Sequence, residues 1–158
     1  MIPIEQLKKI LFFQGLSDEI LTEIGNIANI ETCQEEAELF KQSQNLSNFY
    51  MILSGKVFLN SRSPKGVSLT LDEVTCGHSF GLSAIMGEVE SSFSAVCAEK
   101  SEIITINNHE MLKLFEKNLK LGYEITLRVV QLFQSRMSKH TQQFLKSIAN
   151  HPQIKKNL

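Results

Sequence analysis

The chain has 158 residues, 42% hydrophobic and 21% charged, with 16 Lys and Arg against 17 Asp and Glu, the profile of one soluble globular domain. With 8 Gly, 3 Pro and an even spread of Leu, Ile and Val, collagen-like, low-complexity and disordered classes are excluded. The longest apolar runs, such as Ile10 to Phe13 and Tyr50 to Leu53, fall far short of the roughly 20 residues needed to cross a bilayer, so no membrane span is expected.

Taken in chain order, Met1 to Gln14 lacks the long apolar centre and small-residue cleavage site of a secretory signal. Ile4 to Phe13 places apolar residues at helical spacing, and Gly15 breaks the run. Ser17 is a suitable N-cap for a second helix, with Asp18 and Glu19 in its first turn and Ile20, Leu21, Ile24 and Ile27 on one apolar face. From about Ala28 the period changes. Apolar stretches of strand length follow at Ile30 to Cys33, Glu38 to Lys41, Phe49 to Leu53, Lys56 to Asn60, Val67 to Leu71, Phe93 to Ala98 and Glu102 to Ile106. Ser54-Gly55 reads as a two-residue hairpin, and Ser63-Pro64-Lys65-Gly66 as a longer turn. Many short strands joined by tight turns predict an antiparallel sandwich or jelly roll, and no glycine-rich phosphate loop leads from a strand into a long helix.

Asn107 or Asn108 can cap a short helix that ends near Asn118, and a longer helix is expected from about Leu119 to Asn150, stopped by Pro152. At 1.5 Å per residue its roughly 30 residues make a rod of about 45 Å, longer than a small domain is wide. Along it Tyr123, Thr126, Val130, Phe133, Met137, His140 and Phe144 recur at alternating steps of three and four, a heptad seam suited to pairing with a second copy. Thr126 and His140 weaken that seam but can fix its register. The expected divisions are 1–118 for the helices and roll, 119–150 for the long helix and 151–158 for a tail.

Charge is unevenly spread. Residues 1–110 hold 15 acidic and 7 basic side chains, a balance of -8, whereas residues 111–158 hold 2 acidic and 9 basic, a balance of +7. The basic segment can be a solvated face, an internal docking surface or a contact for an anionic partner. Cys33, Cys76 and Cys97 are odd in number and widely spaced, which argues for small buried hydrophobes in a reducing compartment, the cytoplasm, rather than a disulfide framework. Cys76-Gly77-His78 has no second ligand pair nearby, so no metal site is expected.

Leu39-Phe40-Lys41 followed by Phe49-Tyr50-Met51-Ile52-Leu53-Ser54-Gly55-Lys56-Val57 resembles the strand, loop and hairpin of cyclic-nucleotide-binding domains. The stretch from Gly77-His78-Ser79-Phe80-Gly81-Leu82-Ser83-Ala84 to Gly87, then Ser94-Ala95, resembles that family's phosphate-binding cassette. The resemblance runs from about Leu7 to Gln143. It implies a mainly β, α+β fold: an antiparallel double-stranded β-helix or jelly roll of about eight strands, short N-terminal helices, and a long C-terminal helix that in catabolite activator relatives forms the dimer seam. It also implies a ligand site at Phe80, Gly81, Leu82, Ser83, Ala84, Phe93, Ser94 and Ala95.

In that family a glutamate directly after Phe-Gly accepts a hydrogen bond from the ribose hydroxyl, and an arginine before Ser/Thr-Ala forks onto the cyclic phosphate. Here those positions hold Leu82 and Phe93, and Ser43 and Gln44 replace the Gly and Asp of the family's earlier loop. Losing two charged hydrogen bonds costs roughly 3–6 kcal/mol, about two to four decades of affinity. Glu88 and Glu90 add repulsion toward a phosphate. The expected function is therefore a stand-alone regulatory module for signal sensing whose cassette lacks the usual anchors. The alternatives are a ligand-free protein–protein interaction module and a weak or non-standard binder of a cyclic nucleotide or an apolar molecule. No cofactor is expected, and a cyclic nucleotide is disfavoured. No helix-turn-helix follows Asn150, and Arg128, Arg136, Lys139, Lys146, Lys155 and Lys156 are not interleaved with stacking aromatics, so direct DNA binding is not expected. No catalytic residues are assigned, because no nucleophile–base order or converging carboxylate pair is specified. A homodimer is expected, with a protein partner or small-molecule ligand left open.

Overall fold

The computed structural model describes residues 1–86 and 90–151 of the chain. Two short helices open it, α1 (Ile4–Leu7) and α2 (Asp18–Ile27), and eight strands follow: β1 (Ala28–Cys33), β2 (Glu38–Phe40), β3 (Asn48–Ser54), β4 (Lys56–Arg62), β5 (Ser68–Thr75), β6 (Ser79–Phe80), β7 (Ser94–Cys97) and β8 (Ser101–Asn107). A 3-10 turn, Leu82–Met86, lies between β6 and β7, and helices α3 (Asn108–Lys117) and α4 (Leu119–Ala149) close the described chain.

All strand pairs are antiparallel and form two four-stranded sheets, in the orders β1-β8-β3-β6 and β2-β7-β4-β5. This is the jelly roll. Strands β3 and β8 lie at the centre of the first sheet and are apolar on both faces. Tyr50 and Ile52 join the cluster between the sheets, while Phe49, on the other face, meets the Phe12 ring edge-on at 5.1 Å. That second cover explains why β3 reads as a continuous apolar run rather than an alternation. In the second sheet one face is apolar, with Val57, Leu59, Val74, Ala95 and Cys97 buried. Ser94 and Val96, alternating with Ala95 and Cys97, look outward.

Ser17 caps α2 as its residue type predicts, its Oγ accepting from the Ile20 amide at 3.4 Å, with Ile20, Leu21 and Ile24 buried beneath. The opening run is not one helix, however. It breaks after Leu7, Ile10 is extended, and Leu11–Phe13 forms a separate 3-10 turn. The Leu11 amide donates to the Gly77 carbonyl at 2.8 Å, a tertiary bond that competes with helix continuation.

Ser54-Gly55 is not a hairpin either. It carries the chain from β3 in one sheet to β4 in the other. Gly55 has φ +88°, and a Cβ there would collide with Ser101 and lie 2.8 Å from the Lys100 carbonyl oxygen, so the crossover needs glycine. The turn at Ser63 to Gly66 does join paired strands, β4 and β5, with the Ser63 amide donating to the Val67 carbonyl at 2.8 Å. Strand β6 is only two residues long, too short to leave a period in the sequence.

Asn107 caps α3, accepting from the His109 amide at 3.0 Å, and Asn118 caps α4 by accepting from the Leu121 amide at 3.1 Å. The chain divides into two compact units, Met1–Gly122 and Tyr123–Leu158, so both sheets and the apolar cluster fall within the first. In the second, α4 leaves Tyr123, Leu127, Val130, Phe133, Met137, Phe144 and Leu145 exposed. Thr126 and His140 are exposed as well, and Pro152 lies outside the described residues. No helix among the described residues is long and apolar enough to cross a membrane.

Candidate functional site

Phe80 enters the site from β6, paired with Tyr50 across the sheet, and is fully buried. The two rings stack at 5.1 Å with planes 11° apart. Gly81 follows at φ +70°, where a Cβ would sit 2.9 Å from the Tyr50 ring and 3.2 Å from the Asn48 carbonyl oxygen. The glycine is therefore required both by backbone conformation and by the aromatic packed against it. Leu82 begins the 3-10 turn and is buried, Ser83 is half-buried and Ala84 is buried.

Phe93 and Ala95 approach from the other side on the strand leading into β7. Phe93 is half-buried with its ring 5.8 Å from that of Phe40, and Phe40 in turn lies 5.4 Å from Tyr50 and 6.2 Å from Phe80. Of the two positions where the family's charged anchors are expected, Phe93 packs against the apolar cluster between the sheets and Leu82 is buried. Edge and offset contacts of this kind contribute about 0.5–1.5 kcal/mol each beyond the area they bury. Burial also pushes the Tyr50 hydroxyl above its ordinary range.

Ser94 does not join this group. Its Oγ accepts from the Gln42 amide at 2.9 Å on the outward side of the sheet. Ser91 is buried and spends its hydroxyl locally, donating to the Phe93 carbonyl at 2.6 Å. Ser43 takes the left-handed conformation, φ 65°, that a glycine would adopt freely, and its amide donates to the Ser91 carbonyl at 2.7 Å. Glu90 forms a single antiparallel bridge with Asn45, and Glu88 and Gly87 lie outside the described residues.

The family model described as the cyclic nucleotide-binding domain matches residues 30–118. The chain belongs to that family. Among solved structures, the Thermus thermophilus catabolite activator protein is 25% identical with a TM-score of 0.73, over 87% of this chain and 63% of that one. A cyclic nucleotide-binding domain from Methylobacillus flagellatus shares the fold at 19% identity, TM-score 0.81, over 94% and 84% of the two chains. A curated relative, potassium channel AKT6 of Arabidopsis thaliana, is 24% identical over 127 residues, 80% of this chain but 14% of the channel. This chain therefore spans about one seventh of the length of that relative.

The structure brings Phe80, Ala84 and Ala95 into the cluster between the sheets with Phe93 packed against it, sets Gly81 against the Tyr50 ring, and turns Ser94 to the outward face. Sequence reasoning missed Phe40 and Tyr50, whose rings complete the cluster. Their only signal was membership of apolar strands, which does not say which face the ring occupies. The three cysteines are not uniformly buried as expected: Cys97 is buried, Cys33 half-buried, and Cys76 exposed with its thiol donating to the Leu53 carbonyl at 2.9 Å.

Proposed function

We propose that this chain is a non-catalytic, cytoplasmic regulatory module of the cyclic nucleotide-binding family in which the roll is held closed by its own aromatic side chains, and that it works through protein contacts. The observation that carries the reading is the Phe40, Tyr50, Phe80 and Phe93 cluster, in which Phe93 stands where the family's resemblance calls for an arginine, together with the burial of Leu82, which stands where it calls for a glutamate. A cyclic phosphate entering there would lose water and gain no cation, because Phe93 supplies a ring instead of a guanidinium. DNA contact is no part of the proposal.

The partner in this reading is a second copy, paired in parallel along Tyr123, Thr126, Val130, Phe133, Met137, His140 and Phe144. Support comes from the exposure of the large apolar members of that seam, Tyr123 and Met137 each at 69% and Phe144 at 62%.

Calorimetry with cyclic AMP and cyclic GMP tests the closed roll. The expected outcome is no saturable binding tighter than about 100 μM, given the two to four decades lost with the charged anchors. A low-micromolar dissociation constant for either nucleotide would overturn the proposal. Slow uptake of an apolar molecule retained through native mass spectrometry would instead favour a sensor for that molecule.

A further inference from the structure

The outward face of the second sheet carries a cleft of about 640 Å³ that lies on the opposite side of β7 from the aromatic cluster. Strand register builds it. Asn60 stands opposite Ser94, Arg62 opposite Ser68, and Val96 opposite Phe58, so side chains from three neighbouring strands line one surface. The loop after β2 closes one end and supplies Lys41, Gln42 and Ser43.

Backbone anchors hold these groups in place. The Gln42 amide donates to Ser94 Oγ at 2.9 Å, and Gln42 Oε1 accepts from the Arg62 amide at 2.8 Å, tying the loop to both β7 and β4. Asn60 Oδ1 accepts from the Thr70 hydroxyl at 2.8 Å, and Ser63 Oγ accepts from the Val67 amide at 3.2 Å. Ser63 and Ser94 use their oxygens as acceptors in these bonds, which leaves each hydroxyl hydrogen to donate elsewhere.

The charge pattern sets the chemistry. Glu38 is the one carboxylate of the lining, and Lys41 pairs with it at 3.5 Å. Among the described residues no carboxylate lies within ion-pair distance of the Arg62 guanidinium, so the lining carries a net positive charge. It does so within residues 1–110, whose balance of 15 acidic against 7 basic side chains is strongly negative. One forked cation, one ammonium and a ring of small hydroxyl donors on a fixed sheet is a donor set matched to the three oxygens of a phosphoryl group. The remaining amides, Asn60 and Gln42, suit the hydroxyls of a sugar-sized body in the rest of the volume.

We infer that this cleft is a binding site for a small phosphomonoester, separate from the interior of the roll and independent of whether the roll takes any ligand. The test is an amide NMR titration of the full chain with inorganic phosphate and with glucose 6-phosphate, at ionic strength held constant with sodium chloride. Saturable shifts are expected at Gln42, Arg62, Ser63 and Ser68, with glucose 6-phosphate the tighter probe. Arg62→Gln is expected to weaken binding about tenfold or more, the worth of one charged hydrogen bond. Glu38→Gln is expected to tighten it. Both positions are exposed, and an unchanged melting temperature checks the fold. Shifts that rise linearly to the highest concentration, shifts centred on Lys8, Lys9 or Lys100, or an affinity unaltered by Arg62→Gln would overturn the site. A phosphoserine peptide that saturates the same amides more tightly than glucose 6-phosphate would overturn the small-molecule assignment. Cyclic nucleotides acting in the roll would move Leu82 and Ala95 instead, so the two proposals fail separately.

Discussion

Each cysteine experiences a different environment, and thiol chemistry reports it. Burial, reinforced by the nearby Cys33, raises the Cys97 thiol from the ordinary 9.0 to about 11, and burial likewise raises Cys33. Attack requires the thiolate. With Cys76 exposed, Cys33 half-buried and Cys97 buried, a disulfide reagent at about pH 8 is expected to modify one thiol per chain quickly, a second more slowly and the third only on unfolding; Cys76→Ser should abolish the fast phase. The same shift has a stability consequence. A thiol whose folded value is raised stabilises the fold fully below its unfolded value of about 9 and loses that contribution as pH climbs toward about 11, so denaturation midpoints should fall across that window and Cys97→Ala should flatten the fall. Gly55 is a second residue-scale test. Alanine there must hold φ +88° with its Cβ against Lys100 and Ser101, and chemical denaturation should show a loss of about 1–3 kcal/mol or more.

At the level of elements, α4 leaves a large apolar stripe uncovered within its own unit. Phe133 lies at the middle of that stripe. If the helix pairs with a second copy, Phe133→Glu buries an unpaired carboxylate at the seam, and sedimentation at tens of micromolar should show monomers where the unaltered chain sediments as a dimer. Residues 119–149 carry Lys120, Arg128, Arg136, Lys139 and Lys146 against Glu124, so parallel pairing brings like charge together. Raising salt from about 20 to about 300 mM shortens the screening length severalfold and should tighten the dimer; weakening instead would point to a head-to-tail arrangement of basic helix on acidic body.

Across the whole molecule, the acidic roll and the basic terminal segment coincide closely with the two compact units, the boundary falling at Gly122. The roll contains two surfaces of opposite character separated by a single strand. Ala95 and Cys97 face an apolar interior, while Ser94 and Val96 face the polar cleft. A strand four residues long achieves this because successive side chains point to opposite faces.

Periodicity and turn chemistry were enough to establish the strand-rich middle, the Ser17 cap, the Ser63 to Gly66 turn and the long last helix, because each depends on residues close together in the chain. That Leu82 follows Phe80-Gly81 and Phe93 precedes Ser94-Ala95 was likewise readable from the chain alone, since a motif is a linear spacing. Three things were not. Whether Ser54-Gly55 joins partners or crosses between sheets depends on strands β7 and β8, which begin only at Ser94 and Ser101. The helical spacing of Ile4 to Phe13 gave way to a hydrogen bond with Gly77, which no local pattern announces. The gathering of the Phe40, Tyr50, Phe80 and Phe93 rings, and of Lys41, Arg62 and Ser94 into one cleft, is decided by register between strands that are not consecutive in the chain. Register is a tertiary quantity: one residue of slip would exchange the two faces while leaving every local propensity unchanged.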